Sequence, residues 1–485
     1  MGRMRRLVEL RRCLSCREQP KRKGDMIPFP PRDETLNFFT RLNQEKYGGS
    51  DTVNAVDVEG IAVWIQEYLR YRVNGTGHID ACIAVFQEID RVRANDQPVP
   101  VLEPRLGVVR LVNRSWVDDT GEFFPLGTTL FWALGGMKRG EQGRVFQNVS
   151  FARELGCDYV RILGQTSWPG EDIDPFWPDY PTLLATFIDT AYALGVRTQI
   201  TALTEGCADP LRAATIIRDV VNARRDKIVM LEAKNETKDA GLVVVSANVA
   251  QILGQAGLPF GVGLGDASIE TIEAESNKCQ ATVAFFHQER NPADDGARNV
   301  RQSWDMKAFN RAVCANEPPG PASSGSQENR PTRLAAMRAA DTVCGAGAFC
   351  LHTGSGVFGR PMTGSYGTRY ANLWEIPGIR VMAAAVHASV RHLPAGVTGW
   401  AKFNTQHPVV VKSGQVNKLY GAKTGSQFVE IAIGCIAPTT FKAVVPCAVL
   451  FADSETGRVI AERQMNPGDE QLTDVWAPVI VGTLV

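Results

Sequence analysis

Apolar runs of five to nine residues recur along the middle of the chain, each separated from the next by a longer stretch with helical periodicity. The strand-like runs are Leu126–Leu134, Tyr159–Leu163, Arg197–Ala202, Val229–Glu236, Pro259–Leu264, Ala281–His287, Ala312–Glu317 and Ala348–His352. Between and after them, apolar residues repeat at helical spacing in Val145–Leu155, Leu183–Leu194, Leu211–Arg224, Leu242–Leu253, Ile269–Asn277, Trp304–Asn310, Leu334–Val343 and Ile379–Leu393. Several helices close on glycine (Gly156, Gly195, Gly257), the residue that best accepts the left-handed conformation past a helix end. Near-continuous apolar strands alternating with helices indicate a parallel sheet covered on both faces. Eight such units predict an α/β protein with a (β/α)8 TIM barrel over residues 106–395. A doubly wound open sheet is the alternative, but no glycine-rich phosphate loop follows the first strand.

The pattern differs on either side. Residues 1–35 form a basic arm and linker, with nine Lys/Arg before position 24 and a stiff Pro28-Phe29-Pro30-Pro31. Residues 36–98 read as a small helical module, with Ile61, Trp64, Ile65 and Leu69 on one face. Gly107–Val112 and Trp116–Val117 read as a hairpin that closes the barrel floor. Past the eighth helix, residues 396–485 change to short β-type segments (Phe428–Ile433, Phe441–Val445, Ala448–Phe451, Val459–Ile460) separated by turns. This predicts a C-terminal antiparallel β domain, sandwich-like in character.

Composition narrows the function classes. At 485 residues the chain holds more than one domain, and 44% hydrophobic content supports a sizeable core. Lys+Arg 52 balances Asp+Glu 52, so overall charge gives no reason to expect nucleic-acid or membrane partners. No run approaches the ~20 apolar residues of a membrane span. Leu7–Leu10 is too short for the core of a signal peptide, so synthesis in the cytoplasm is expected, compatible with a later extracellular or virion-associated site. The 11 cysteines are scattered and mostly within apolar runs, which indicates buried free thiols. Cys13 and Cys16 form a lone CxxC short of the four ligands a zinc site needs. No metal or cofactor is expected.

The chemistry lies at the strand ends, because the C-terminal rim of such a barrel gathers residues scattered in sequence. Strand two offers Arg161, strand four Asn235 and Glu236, strand six His287, strand seven Glu317 and strand eight His352. Two glutamates on separate strands suit glycosidic-bond cleavage, in which one must be protonated for the leaving group and the other ionised. Glu232 and Glu289 are rival carboxylates, with Glu289 the nearer substitute for a nucleophile. Arg161 in YVRILG, Asn235-Glu236 after VMLEAK, His287 in VAFFH and Glu317 in VCANEP together resemble the motif set of the clan A retaining glycoside hydrolases, the cellulase- and mannanase-like barrels. The resemblance implies Glu236 as general acid/base, Glu317 as nucleophile, Asn235 on the substrate's 2-hydroxyl, and Arg161 and His287 orienting the nucleophile. Two departures bear on the sugar site. His352-Thr353-Gly354 stands where that clan commonly has tryptophan, and strand three ends without the histidine of some families.

The loop after strand two places Trp168, Phe176, Trp177 and Tyr180 among aspartates and prolines. Such rings can stack on pyranose faces, and Trp168 and Trp177 are the first candidates. The expected partner is an oligo- or polysaccharide substrate, with the N-terminal helical module as a docking element for an assembly. The competing expectation is a non-catalytic glycan-binding or structural barrel of a multi-domain particle or surface assembly. Two carboxyl groups facing each other in an open cleft would speak for turnover, whereas one buried in a salt bridge, or a filled cleft, would decide for that second reading; transfer to another sugar is a third.

Overall fold

The computed structural model describes residues 103–168, 170–235, 240–264, 269–287, 311–321, 328–361, 370–402 and 406–485, with the backbone alone at 240–244, 264, 269, 436 and 437. The basic arm, the N-terminal helical module, the helix expected at Trp304–Asn310, Glu236 and Glu289 lie outside these residues. The chain divides into two units, Met1–Asp96 and Gln97–Val485, and the second contains all that is described below.

A short antiparallel meander comes first: β1 (Arg110–Val112), β2 (Ser115–Asp118) and β3 (Gly121–Phe123). It carries Trp116, fully buried, into a cluster with Tyr159, Met230, Val283, Phe285, Cys314 and Cys350. These side chains come from five of the barrel strands and point inward, so Trp116 plugs the lower end of the barrel. Gly347 leaves room for its indole ring, which a Cβ there would strike.

The barrel strands follow: β4 (Leu126–Thr129), β5 (Tyr159–Leu163), β6 (Arg197–Leu203), β7 (Ile228–Lys234), β8 (Phe260–Gly261), β9 (Gly263–Leu264), β10 (Val283–His287), β11 (Ala312–Glu317) and β12 (Ala346–Leu351). All the pairings between them are parallel, and the order is β8-β7-β6-β5-β4-β12-β11-β10-β9. The two-residue strands β8 and β9 are halves of one strand, the fifth, so eight strands close the sheet into a (β/α)8 barrel. Helices including Gln142–Glu154, Tyr180–Ala193, Pro210–Asn222, Ala240–Gly254, Ile269–Lys278, Pro331–Cys344 and Ile379–Ala388 surround it. Among the described residues no helix is long and apolar enough to cross a membrane.

One expected element is corrected. The first strand, read as Leu126–Leu134, stops at Thr129, and a helix begins at Ala133. Residues 130–134 are all buried, and an apolar run buried on every side does not distinguish strand from helix.

The C-terminal region holds two antiparallel sheets packed as a sandwich. Strands β13 (Ala401–Lys402), β15 (Lys418–Thr424), β16 (Gln427–Ile433), β18 (Cys447–Asp453), β19 (Val459–Met465) and β21 (Pro478–Leu484) form a six-stranded sheet. Strands β14 (Val409–Gln415), β17 (Ile436–Ala443) and β20 (Glu470–Thr473) form a three-stranded one. All pairs in both sheets are antiparallel. Phe428 and Ala432 of β16 face Phe441 and Val409 in the sandwich core. Val429, Ile431 and Ile433, on the opposite face, meet Ala339, Ala340 and Val343 of helix Pro331–Cys344. This strand is therefore buried on both sides, which explains its nearly unbroken apolar sequence.

Candidate active site at the barrel rim

Side chains alternate along a strand, and inward-pointing positions change character on the way up. Tyr159 gives way to Arg161, Met230 to Glu232, Phe285 to His287 and Cys350 to His352. The lower layer is the apolar plug around Trp116, and the layer above it is polar, charged and buried.

Arg161 is the hub of that layer and is fully buried. Its Nη1 donates to Glu317 Oε1 at 2.6 Å, and its Nη2 donates to Asn235 Oδ1 at 2.8 Å and Glu232 Oε2 at 2.8 Å. Its Nε faces Glu232 Oε2 at 3.1 Å and Thr201 Oγ1 at 3.0 Å. Burial alone would lower the pKa of this guanidinium, but the Glu232 and Glu317 carboxylates outweigh it and hold the pKa above its ordinary value. The Arg161 charge is therefore permanent. The neighbouring thiols are neutral, because burial pushes Cys350 up to about 12 and Cys314 well above its usual range.

Glu317 is enclosed from two sides. Arg161 takes Oε1, while His287 Nδ1 at 3.4 Å and His352 Nε2 at 3.8 Å approach Oε2. The pairing of β10 with β11 shifts register between Phe286 and His287, which sets His287 opposite Glu317 itself. Asn316 instead takes a hydrogen bond from Gln199 across the barrel at 2.8 Å. His352 Nδ1 lies 3.1 Å from Thr129 Oγ1, so the hydroxyl of strand one fixes the ring of strand eight.

Aromatic rings continue the wall. The Arg161 guanidinium lies 4.8 Å from the centroid of Phe131, whose ring is 6.0 Å from His352 and 6.1 Å from Trp168. Trp168 also contacts Phe358, 5.8 Å away, and stays half-buried. The loop bearing Trp168 is pinned by Glu171, which is paired with Arg139 at 3.1 Å and Arg360 at 3.8 Å. Trp177 sits elsewhere on the same loop, with Lys138 Nζ 4.9 Å from its ring centroid and Lys138 reaching Asp179 at 2.7 Å. Phe176 likewise lies under Arg212, and Tyr180 donates to Gly164 O at 2.7 Å.

The structure thus brings Arg161, Asn235, His287, Glu317, His352 and Trp168 into one contiguous group and places Trp177 against a surface lysine. Sequence reasoning did not single out Thr129, Phe131, Thr201 or Phe358, and it treated Glu232 only as a rival carboxylate. One signal was present: Arg161 and Glu232 are charged residues inside apolar strands, and buried charges require partners.

No family model and no curated protein matches this sequence. A solved structure described as a glycoside hydrolase aligns with 78% of this chain and 97% of its own length, at 11% identity and a TM-score of 0.59. A glycoside hydrolase family 5 structure from Bacteroides vulgatus ATCC 8482 aligns with 79% of this chain and 94% of its own length, at 12% identity and a TM-score of 0.56. At these identities the likeness is one of fold.

Proposed function

We propose that the chain is a glycoside hydrolase that cleaves an oligo- or polysaccharide with retention of configuration, using Glu317 as nucleophile and Glu236 as general acid/base. The observation that carries this reading is the shared guanidinium. Arg161 ties Asn235, the residue before Glu236, to Glu317, so the tips of strands four and seven meet at one point. The fold of the two structural neighbours supports the same reading.

In the first step, the Glu236 carboxylic acid gives its proton to the glycosidic oxygen as the Glu317 carboxylate attacks the anomeric carbon. The leaving sugar departs as an alcohol and a glycosyl ester on Glu317 remains. In the second, the Glu236 carboxylate takes a proton from water, whose oxygen attacks the same carbon and releases Glu317. Arg161 keeps Glu317 ionised between turnovers and stabilises it as the departing carboxylate. Trp168, with Phe131 and Phe358 behind it, supplies an apolar face for a sugar ring, and Asn235 an amide for its 2-hydroxyl.

A panel of polysaccharides assayed with the purified chain tests the proposal. Glu317→Gln should abolish turnover and retain binding, and Glu236→Gln should lose activity most towards substrates with poor leaving groups. Normal turnover in Glu317→Gln would remove the assignment.

One observation favours the second reading, a glycan-binding barrel without turnover. Glu317 is only 3% exposed and already ion-paired. Tight glycan binding by the wild-type chain with no reducing ends formed on any substrate would decide for it.

A further inference from the structure

Glu232 is not at the tip of its strand, yet it takes more of Arg161 than Glu317 does. Two donors, Nε and Nη2, converge on its Oε2, and Glu317 receives Nη1 alone. Thr201 Oγ1 donates to that same oxygen. Strand pairing sets Thr201 and Glu232 side by side. A guanidinium is planar, with its five N–H groups in fixed directions, so gripping the Nε edge determines where Nη1 points.

We propose that Glu232 is a positioning residue: by holding the Nε edge of Arg161 it aims Nη1 at Glu317, and by drawing on the same positive charge it sets how firmly Glu317 keeps its own proton. The inference rests on Glu317 being the attacking carboxylate. Two buried carboxylates divide one permanent cation, and a neighbouring negative charge favours the protonated form of a carboxyl group. The other groups facing the pair are few among the described residues. His287 and His352 approach Glu317 Oε2, and Lys234 is buried on the same strand as Glu232. Beneath lie Cys314, Cys350 and Tyr159, all neutral because burial raises their pKa values. Space for the second oxygen of Glu232 is built into the fifth strand. A Cβ at Gly263 would collide with Oε1, which has no hydrogen-bond partner among the described residues.

The test follows the Glu317 carboxyl directly. In protein carrying 13C-labelled glutamate, the Glu317 signal is the one missing from Glu317→Gln, and its pH midpoint is read without any turnover. Glu232→Gln should lower that midpoint by roughly one pH unit, since a like charge has been removed. The acid limb of kcat/KM should move with it. Glu232→Asp, which keeps the charge and shortens the reach, should leave the midpoint near the wild-type value and lower kcat. If Glu232→Gln does not fold, Thr201→Val serves instead. Deprived of its hydroxyl donor, Glu232 draws harder on Arg161, and the Glu317 midpoint should rise by roughly half a pH unit. An unmoved midpoint in the folded variant, with only the melting temperature lowered, would leave Glu232 a purely structural residue. A shifted midpoint in a chain that turns over no glycan would uphold the Arg161 geometry and overturn the hydrolase reading. Turnover with neither midpoint nor acid limb displaced would overturn the positioning role alone.

Discussion

A lysine cannot do what Arg161 does. Its single ammonium is a point charge, and it could face Glu317 or Glu232 but not span both with Asn235 as well. Arg161→Lys should therefore fold with reduced stability and lose roughly a hundredfold in kcat/KM, the scale of a misplacement near 1 Å at a reacting group. Steady-state kinetics beside a denaturant titration would separate the two effects. Trp168→Ala acts differently, because it removes a ring that touches Phe131 and Phe358 and leaves the charged cluster intact. Its KM should rise roughly tenfold with kcat little changed. The polar tips were legible in the sequence because each ends an apolar run abruptly, as His287 ends VAFFH and Glu317 ends AVCANE. Thr129 and Thr201 were not, since threonine is ordinary strand composition and only the fold shows that their hydroxyls face His352 and Glu232. Trp168 and Trp177 looked equivalent, and what separates them is the direction their shared loop takes once Glu171 is pinned.

At the scale of elements, the barrel floor and the sandwich make separate predictions. Trp116 fills the lower barrel against residues of five strands, and Trp116→Ala should cost about 3–5 kcal/mol by the cavity it leaves. Urea denaturation measures that loss. In β16, Glu430 points into the sandwich core, where burial pushes its carboxyl up to about 7 against the pull of His407, whose Nδ1 is 3.1 Å away. A carboxyl whose folded pKa lies above its unfolded one contributes stability that is fully present below the ordinary value and is lost as pH rises through 7. The shift is worth on the order of 3 kcal/mol. Wild-type protein should thus lose stability between about pH 4.5 and pH 7 relative to Glu430→Gln, which removes the titration. A parallel decline in both proteins would show that Glu430 is not the titrating group. Phe428–Ile433 was found from sequence because it is apolar on both faces. Among the strands missed, Val409–Gln415 and Lys418–Thr424 end in exposed polar residues, so half of each lacks the apolar alternation that marks a strand.

At the scale of the whole molecule, the sandwich completes the barrel's outer layer. Helix Pro331–Cys344 is buried along nearly its entire length, with the barrel on one side and Tyr420, Val429 and Ile431 on the other. A helix buried all round needs both neighbours, so barrel and sandwich should unfold in one calorimetric transition. Ile431→Ala should lower that transition without splitting it, at a cost of about 2–5 kcal/mol. Two resolved peaks would contradict the shared core. Eight units and a terminal β region could be read from sequence because a barrel repeats its pattern. The closure between helix and sandwich could not, because alanines such as Ala339 and Ala340 carry little periodic signal.

The split fifth strand has a consequence for how the ring opens. It is held to β7 through Leu231–Phe260 and Glu232–Gly261, and to β10 through Phe285–Gly263 and Phe286–Leu264, so each side rests on two paired positions. Other neighbours in the ring share up to five. Glycines occupy 261 and 263 because a side chain would strike Val283 O on one side and Glu232 on the other. This makes the fifth strand the staple of the barrel's hoop and also its weakest link. Its amides should exchange hydrogen with solvent faster than those of β5 and β6, and the Glu232 that needs its glycine should lose its footing in the same local opening.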